Sequence, residues 1–198
     1  MTAPSVVRGR ELPRKTLHIT TAAVPVLLWL GLSQRVVTMA LLGLFGIACA
    51  VEVARRRSSA VASRFDMVVG TMLRPHEVTR GITGATWLLA ALTLACLAAP
   101  LAAAIAATWA GAVGDASAAI AGRAWRQRHP GTGKTLAGSL TCLATTALGA
   151  WWLAGFGIVS AVGIGAVAAL AERPALTLDD NVRVTLAAAI AATLLLPR

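Results

Sequence analysis

Long apolar runs separated by short, mostly basic segments dominate the chain. A helix needs about 20 predominantly apolar residues to cross a hydrocarbon core, with about 17 as the lower limit. Seven runs approach that length: 17–33, 36–54, 81–99, 101–121, 136–154, 156–172 and 182–197. The third and fourth divide at Pro100, the fifth and sixth at Gly155-Phe156-Gly157. Strand-like alternation is absent, and helices satisfy their own backbone groups in lipid. The pattern predicts an all-α fold, a single polytopic membrane helix bundle of about seven transmembrane helices spanning 1–198. Residues 1–16 form a basic segment ahead of the first span, and 55–80 form the longest polar loop. That loop opens with Arg55-Arg56-Arg57 and contains Pro75, and a short amphipathic or interfacial helix is expected in it. No internal repeat is visible, so the inverted-repeat mark of many transporters is missing.

Composition supports a bilayer over water. The chain is 57% hydrophobic and 13% charged, against roughly 45–50% and 25% in soluble domains. The net charge of +10 suits a membrane surface better than nucleic acid, because the cations lie between apolar runs. With the N-terminus placed in the cytoplasm, only Arg35 and Arg198 of the 18 basic residues fall on the far side. This is a strong positive-inside signal. The acids segregate as well: Glu11, Glu52, Asp66, Glu77, Asp115, Glu172, Asp179 and Asp180 all fall on or near the cytoplasmic side. Insertion rules do not require that, and a catalytic or binding face does. Cys49, Cys96 and Cys142 each sit alone in an apolar run and read as packing residues. No secretory cleavage site is evident, and a prokaryotic cytoplasmic membrane is expected, with the site facing the cytoplasm.

Four stretches can carry chemistry. In the first, a helix starting at Pro13 would place Arg14 and His18 one turn apart, with Lys15 between them. These residues either anchor the first span or bind an anion at its mouth. In the second, Gly111, Gly114, Ala118 and Gly122 recur at helical spacing, with Asp115 recessed in an otherwise uncharged run. A carboxylate there costs roughly 2.5–3.5 kcal/mol, so it needs either an arginine or a bound cation; oxygen ligands suit Mg²⁺. The third, Gly131 to Ser139, imitates a P-loop, but Arg128 stands where the first Gly belongs and no strand precedes it. Glycines, Lys134, Thr135, Gly138 and Ser139 before a helix nevertheless make a phosphate cradle. In the fourth, Glu172 is followed by Asp179-Asp180-Asn181, where the carboxylates either cap the last helix or hold Mg²⁺.

At these stretches the chain resembles the CTP-dependent lipid-alcohol kinases: dolichol kinase, phytol kinase and yeast-type diacylglycerol kinase, distant relatives of the phosphatidate cytidylyltransferases. The resemblance lies in Arg14-Lys15 followed by His18, in Gly114-Asp115 with Gly122, in Lys134-Thr135 leading to Gly138-Ser139, and in Asp180-Asn181 before the last span. Arg74, Glu77, Arg80 and Gly84-Ala85 are also similar. The family commonly has Glu where this chain has Ala137, and Arg123, Arg126 and Arg128 replace its Gly-Lys pair.

The resemblance implies transfer of the CTP γ-phosphoryl group to a polyprenol, dolichol, phytol or diacylglycerol hydroxyl. It implies Mg²⁺ on Asp115 and Asp180, phosphates on Arg14, Lys15 and Lys134, and nucleotide contacts from Thr135, Gly138, Ser139, Gly114, Gly122 and Asn181. His18 would orient the acceptor or act as base. A cytidylyltransferase acting on a lipid phosphate would use the same groups, and a small transporter or structural membrane subunit is the reading from another class. The expected partners are a lipid alcohol and a nucleotide, with no nucleic acid.

Overall fold

The computed structural model describes residues 18–73, 75–78, 81–125, 134–173 and 178–196. No strand occurs among them, and helices stand at each of the seven apolar runs. They are α1 (Ala23–Trp29), α2 (Gln34–Arg57), α5 (Gly84–Ala98), α6 (Leu101–Trp109), α8 (Leu136–Trp152), α9 (Ile158–Glu172) and α10 (Asp180–Leu194). Between α2 and α5 lie α3 (Ser59–Val69), a 3₁₀ turn (Gly70–Met72) and α4 (Pro75–Val78). A π-helical segment, Ala110–Gly114, continues α6 into α7 (Asp115–Trp125).

Three boundaries differ from the sequence expectation for identifiable reasons. The first run is broken at Thr21-Ala22. Pro25 has no N–H for the Thr21 carbonyl, which accepts from Val24 instead, while the Thr21 hydroxyl donates to the His18 carbonyl at 2.6 Å. The second helix runs past residue 54 through Arg55, Arg56 and Arg57, cations that favour a helix C-terminus. The last helix starts at Asp180, two residues early, because Asp179 caps it: its Oδ1 accepts from the Asn181 N–H at 3.0 Å.

Side-chain caps mark one end of the bundle. Thr83 and Thr135 accept from the N–H groups of Thr86 and Gly138, as Asp179 does from Asn181. The starts of α2, α6 and α9, at the other end, have no side-chain cap bond. Gly155, at φ 76°, turns the chain from α8 into α9 where the sequence placed a turn.

The continuous α6–α7 element is the central post, with α1, α5, α8 and α10 packed against it, α9 against α8 and α10, and α2 against α5. Its buried face is alanine: Ala103, Ala104, Ala106, Ala107 and Ala110 are fully enclosed. Small residues let helices approach closely. At Gly165 of α9 a Cβ would stand 2.5 Å from the Leu143 carbonyl of α8. Two helices, Gln34–Arg57 and Leu101–Trp125, are long and apolar enough to cross a membrane by length and composition among the described residues. α5, α8, α9 and α10 are each 15 to 17 residues. α3 occupies the polar loop where a surface helix was expected, and none of its residues is buried.

Candidate functional site

The capped end of the bundle collects the buried charges. Asp115 is the first residue of α7, where the π segment returns to α-helix, and it is 2% exposed. His18 lies against it: Nε2 donates to the Gly111 carbonyl at 2.7 Å and stands 4.0 Å from Asp115 Oδ2. That carbonyl belongs to the π segment, whose wider turn interrupts the regular bonding ladder. Asn181, buried, donates from Nδ2 to the Gly84 carbonyl at 3.2 Å, which ties the start of α10 to the start of α5.

Lys134, just ahead of α8, joins two carboxylates. Its Nζ lies 2.7 Å from Glu172 Oε1 and 2.8 Å from Asp180 Oδ2. Arg183 pairs with the other Asp180 oxygen at 2.6 Å and donates to the Ala171 carbonyl. Burial opposes ionisation of Asp180, but Lys134 outweighs it and holds the carboxyl below its ordinary range, even though the Asp115 charge also reaches it. Burial likewise works against the Lys134 ammonium, and Asp180 and Glu172 overcome it, so its pKa is raised.

The residues of the expected phosphate cradle have structural roles. Thr135 Oγ1 accepts the Gly138 N–H at 3.0 Å and caps α8. A Cβ on Gly122 would stand 3.6 Å from the Gly138 Cα, so these two glycines make the α7–α8 crossing. Gly114 faces α8, where a Cβ would meet Thr146 Oγ1 at 2.5 Å. Ser139 Oγ is buried without a hydrogen-bond partner, as are Glu172 Oε2, Thr146 Oγ1 and Thr185 Oγ1. Arg14, Lys15, Arg74, Arg80, Arg126, Arg128 and Gly131–Gly133 lie outside the described residues.

An apolar cavity of about 430 Å³ opens between α2, α3 and α5. Ala48, Val51, Phe65, Val69, Leu88 and Leu89 form its walls, and His18, Thr21 and Asn181 reach it from the polar end. Glu52, Glu77 and Thr83 also line it and belong to a network around Arg55, a residue that the sequence reading took as orienting charge while it placed the two acids on a binding face. Arg55 donates to Glu52 Oε2 at 2.7 Å, to the Glu77 carbonyl at 2.9 Å and to the Gly81 carbonyl. Glu52 Oε1 accepts from the Thr83 N–H and the Thr86 hydroxyl, and Glu77 Oε1 from the Gly84 N–H. Arg55 also lies over the Phe65 ring, 5.2 Å from its centroid. Spacing offered Arg55 and Arg56 alike, three and four residues after Glu52 on one helical face, and set aside only Arg57.

Asp115, Glu172 and Asp180 carry the oxygen donors that a hard divalent cation takes, and Glu172 Oε2 is a buried acceptor without a partner. Among the described residues no group of three or more His, Cys, Asp or Glu side chains stands where it could hold a metal ion. Mg²⁺ is usually bound by one or two carboxylates completed by substrate phosphates and water. All three cysteines are free thiols. No family model, curated protein or solved structure matches this chain.

Proposed function

We propose that this chain is a polytopic membrane protein of about seven transmembrane helices that transfers the CTP γ-phosphoryl group to the hydroxyl of a membrane lipid alcohol. The N-terminus and the capped end of the bundle lie in the cytoplasm in this reading. One observation carries it: an apolar cavity ends at His18 and Asn181, and the buried Asp115 carboxylate stands 4.0 Å from His18.

The membrane setting draws on the outer surface. Leu30, Met39, Ile47, Leu97, Val159 and Leu194 are 64–87% exposed. In water each would forgo about 25 cal/mol per Å² of apolar surface, a penalty that lipid removes. Helices of 15 to 17 residues rise about 22–26 Å, short of a hydrocarbon core of about 30 Å. Local thinning and flanking turns make up the difference. The tilted pair Trp29–Trp152, centroids 6.1 Å apart, suits the interface at the uncapped end.

Phosphoryl transfer is chiefly positioning and charge neutralisation. Asp115, with Asp180, would hold Mg²⁺, which when bound neutralises charge on the phosphates. Lys134, with Arg14 and Lys15, supplies cations for the phosphate oxygens. His18 Nε2 donates to the Gly111 carbonyl, which holds the ring at the polar end of the cavity, where it would orient an acceptor hydroxyl. Asn181 gives one amide N–H to the Gly84 carbonyl, which leaves its second N–H and its carbonyl oxygen to orient nucleotide or water. The cavity excludes water from the acceptor chain.

The test uses purified protein in detergent with γ- and α-labelled CTP and a panel of polyprenols, phytol and diacylglycerol, each offered both as the alcohol and as its monophosphate. A γ-labelled lipid phosphate with release of CDP is the expected product. Pyrophosphate release with α-label in the lipid identifies cytidylyl transfer to a lipid phosphate instead. No labelled lipid from any acceptor refutes both.

A further inference from the structure

Lys134 is held in a way that a phosphate-binding lysine does not need. Its Nζ lies 2.7 Å from Glu172 Oε1 and 2.8 Å from Asp180 Oδ2, bridging the end of α9 and the start of α10. The Glu172 side chain is 5% exposed, and its second oxygen has no hydrogen-bond partner. Leaving a buried carboxylate oxygen unpaired is costly, so Lys134 satisfies only half of Glu172. By contrast Asp180 has both oxygens paired, to Lys134 and to Arg183. Lys134 and Asp180 are 26% and 27% exposed, so the cluster opens towards the solvent at the capped end.

From this geometry we infer that Glu172 and Asp180 form a divalent-cation site in which Lys134 is the resident counter-ion, displaced when cation and nucleotide enter together. A divalent cation sits about 2.0–2.6 Å from carboxylate oxygens. The place of the ammonium is therefore reached by a contraction of about 0.5 Å, and the idle Glu172 Oε2 allows bidentate binding. The displaced Lys134 then meets phosphate, so its charge stays opposite an anion in both states. Glu172 is thereby a cation ligand, a role that the metal assignment of Asp115 and Asp180 omits. The inference rests on the phosphotransfer reading for the identity of the nucleotide but not for the presence of the cation site.

The experiment is Mn²⁺ binding by electron paramagnetic resonance to the full chain in nanodiscs, with and without CTP, and with Mg²⁺ as competitor. Wild-type protein is expected to bind Mn²⁺ weakly alone and roughly tenfold or more tightly with CTP. Lys134→Met is expected to bind Mn²⁺ tightly without CTP, because the resident cation is gone. Glu172→Gln, which keeps an oxygen for Lys134, is expected to lose roughly tenfold or more of the CTP-dependent affinity. If Lys134→Met does not fold, the comparison of Glu172→Gln with wild type decides alone. Unchanged Mn²⁺ affinity in Glu172→Gln, or no gain in a folded Lys134→Met, overturns the inference. Loss of the expected Mn²⁺ pattern while CTP turnover persists sinks this site and spares the phosphotransfer reading; the reverse result sinks only that reading.

Discussion

Replacing Arg55 by Met separates structural from orienting charge. The Arg55 side chain is 3% exposed, that of its partner Glu52 8%. The substitution keeps the length of the aliphatic stem and removes the donors to Glu52, to the Glu77 carbonyl and to the Gly81 carbonyl. It also leaves Glu52 buried with only the Thr83 and Thr86 donors. Breaking a buried ion pair from one side costs about 3–5 kcal/mol, because the remaining charge is uncompensated. For a chain of this size about 1 kcal/mol corresponds to 2–4 °C, so Tm is expected to fall by about 10 °C. The double variant Glu52→Gln/Arg55→Met removes the stranded charge and is expected to recover about half of that loss. Thermal unfolding in a single detergent, followed by near-ultraviolet circular dichroism or tryptophan fluorescence, measures both. Arg57→Met, an exposed cation in the same helical turn, is the control and is expected to stay within about 0.5 kcal/mol. A Tm change for Arg55→Met no larger than for Arg57→Met would refute the reasoning, and so would strictly additive single variants.

Further outcomes follow from the same contacts. Asp115→Asn is expected to abolish lipid phosphorylation while leaving the detergent elution profile unchanged, and intact turnover would remove Asp115 from the site. The Lys134–Asp180 pair contributes stability above the ordinary Asp pKa of about 3.9 and below the ordinary Lys pKa of about 10.4. The lowered Asp180 pKa makes that contribution fade as pH falls through its folded value, and the raised Lys134 pKa makes it fade as pH rises through its own. The Tm difference between wild type and Asp180→Asn should thus be level from about pH 5 to 9; a slope inside that window contradicts the pairing. Gly165→Ala forces a Cβ onto the Leu143 carbonyl and is expected to cost about 1–3 kcal/mol. Gly43→Ala, with nothing within 4 Å, is expected to be nearly neutral by the same melting assay.

The helices were legible because hydropathy along a chain is a one-dimensional signal, and turns at Pro100 and Gly155 punctuate it. The break at Thr21-Ala22 was not, since it depends on which carbonyl Pro25 leaves without a donor. The gathering of acids at one end was also legible, and the structure brings His18, Asp115, Lys134, Asp180 and Asn181 to that end. What the sequence could not show is which charges pair. Arg55, Arg56 and Arg57 are identical letters, and only the fold places Arg55 inside, against Glu52 and Phe65. Thr135 and Gly138 look like phosphate ligands in a string, whereas in space they also cap a helix and make a crossing. Pairing and crossing are properties of residues far apart in the chain, so local spacing carries little of them.

The π segment at Ala110–Gly114 amounts to one residue of added phase in a 25-residue rod. Each residue turns an α-helix by about 100°, so everything after the insertion is rotated by that angle relative to everything before it. The rod therefore has two working faces. The alanine face of α6 serves close packing, and the face of α7 that carries Asp115 and Gly122 is turned to a different set of neighbours. Removing one residue from the segment would rewind it and swing Asp115 away from His18 without changing a single side chain in the site.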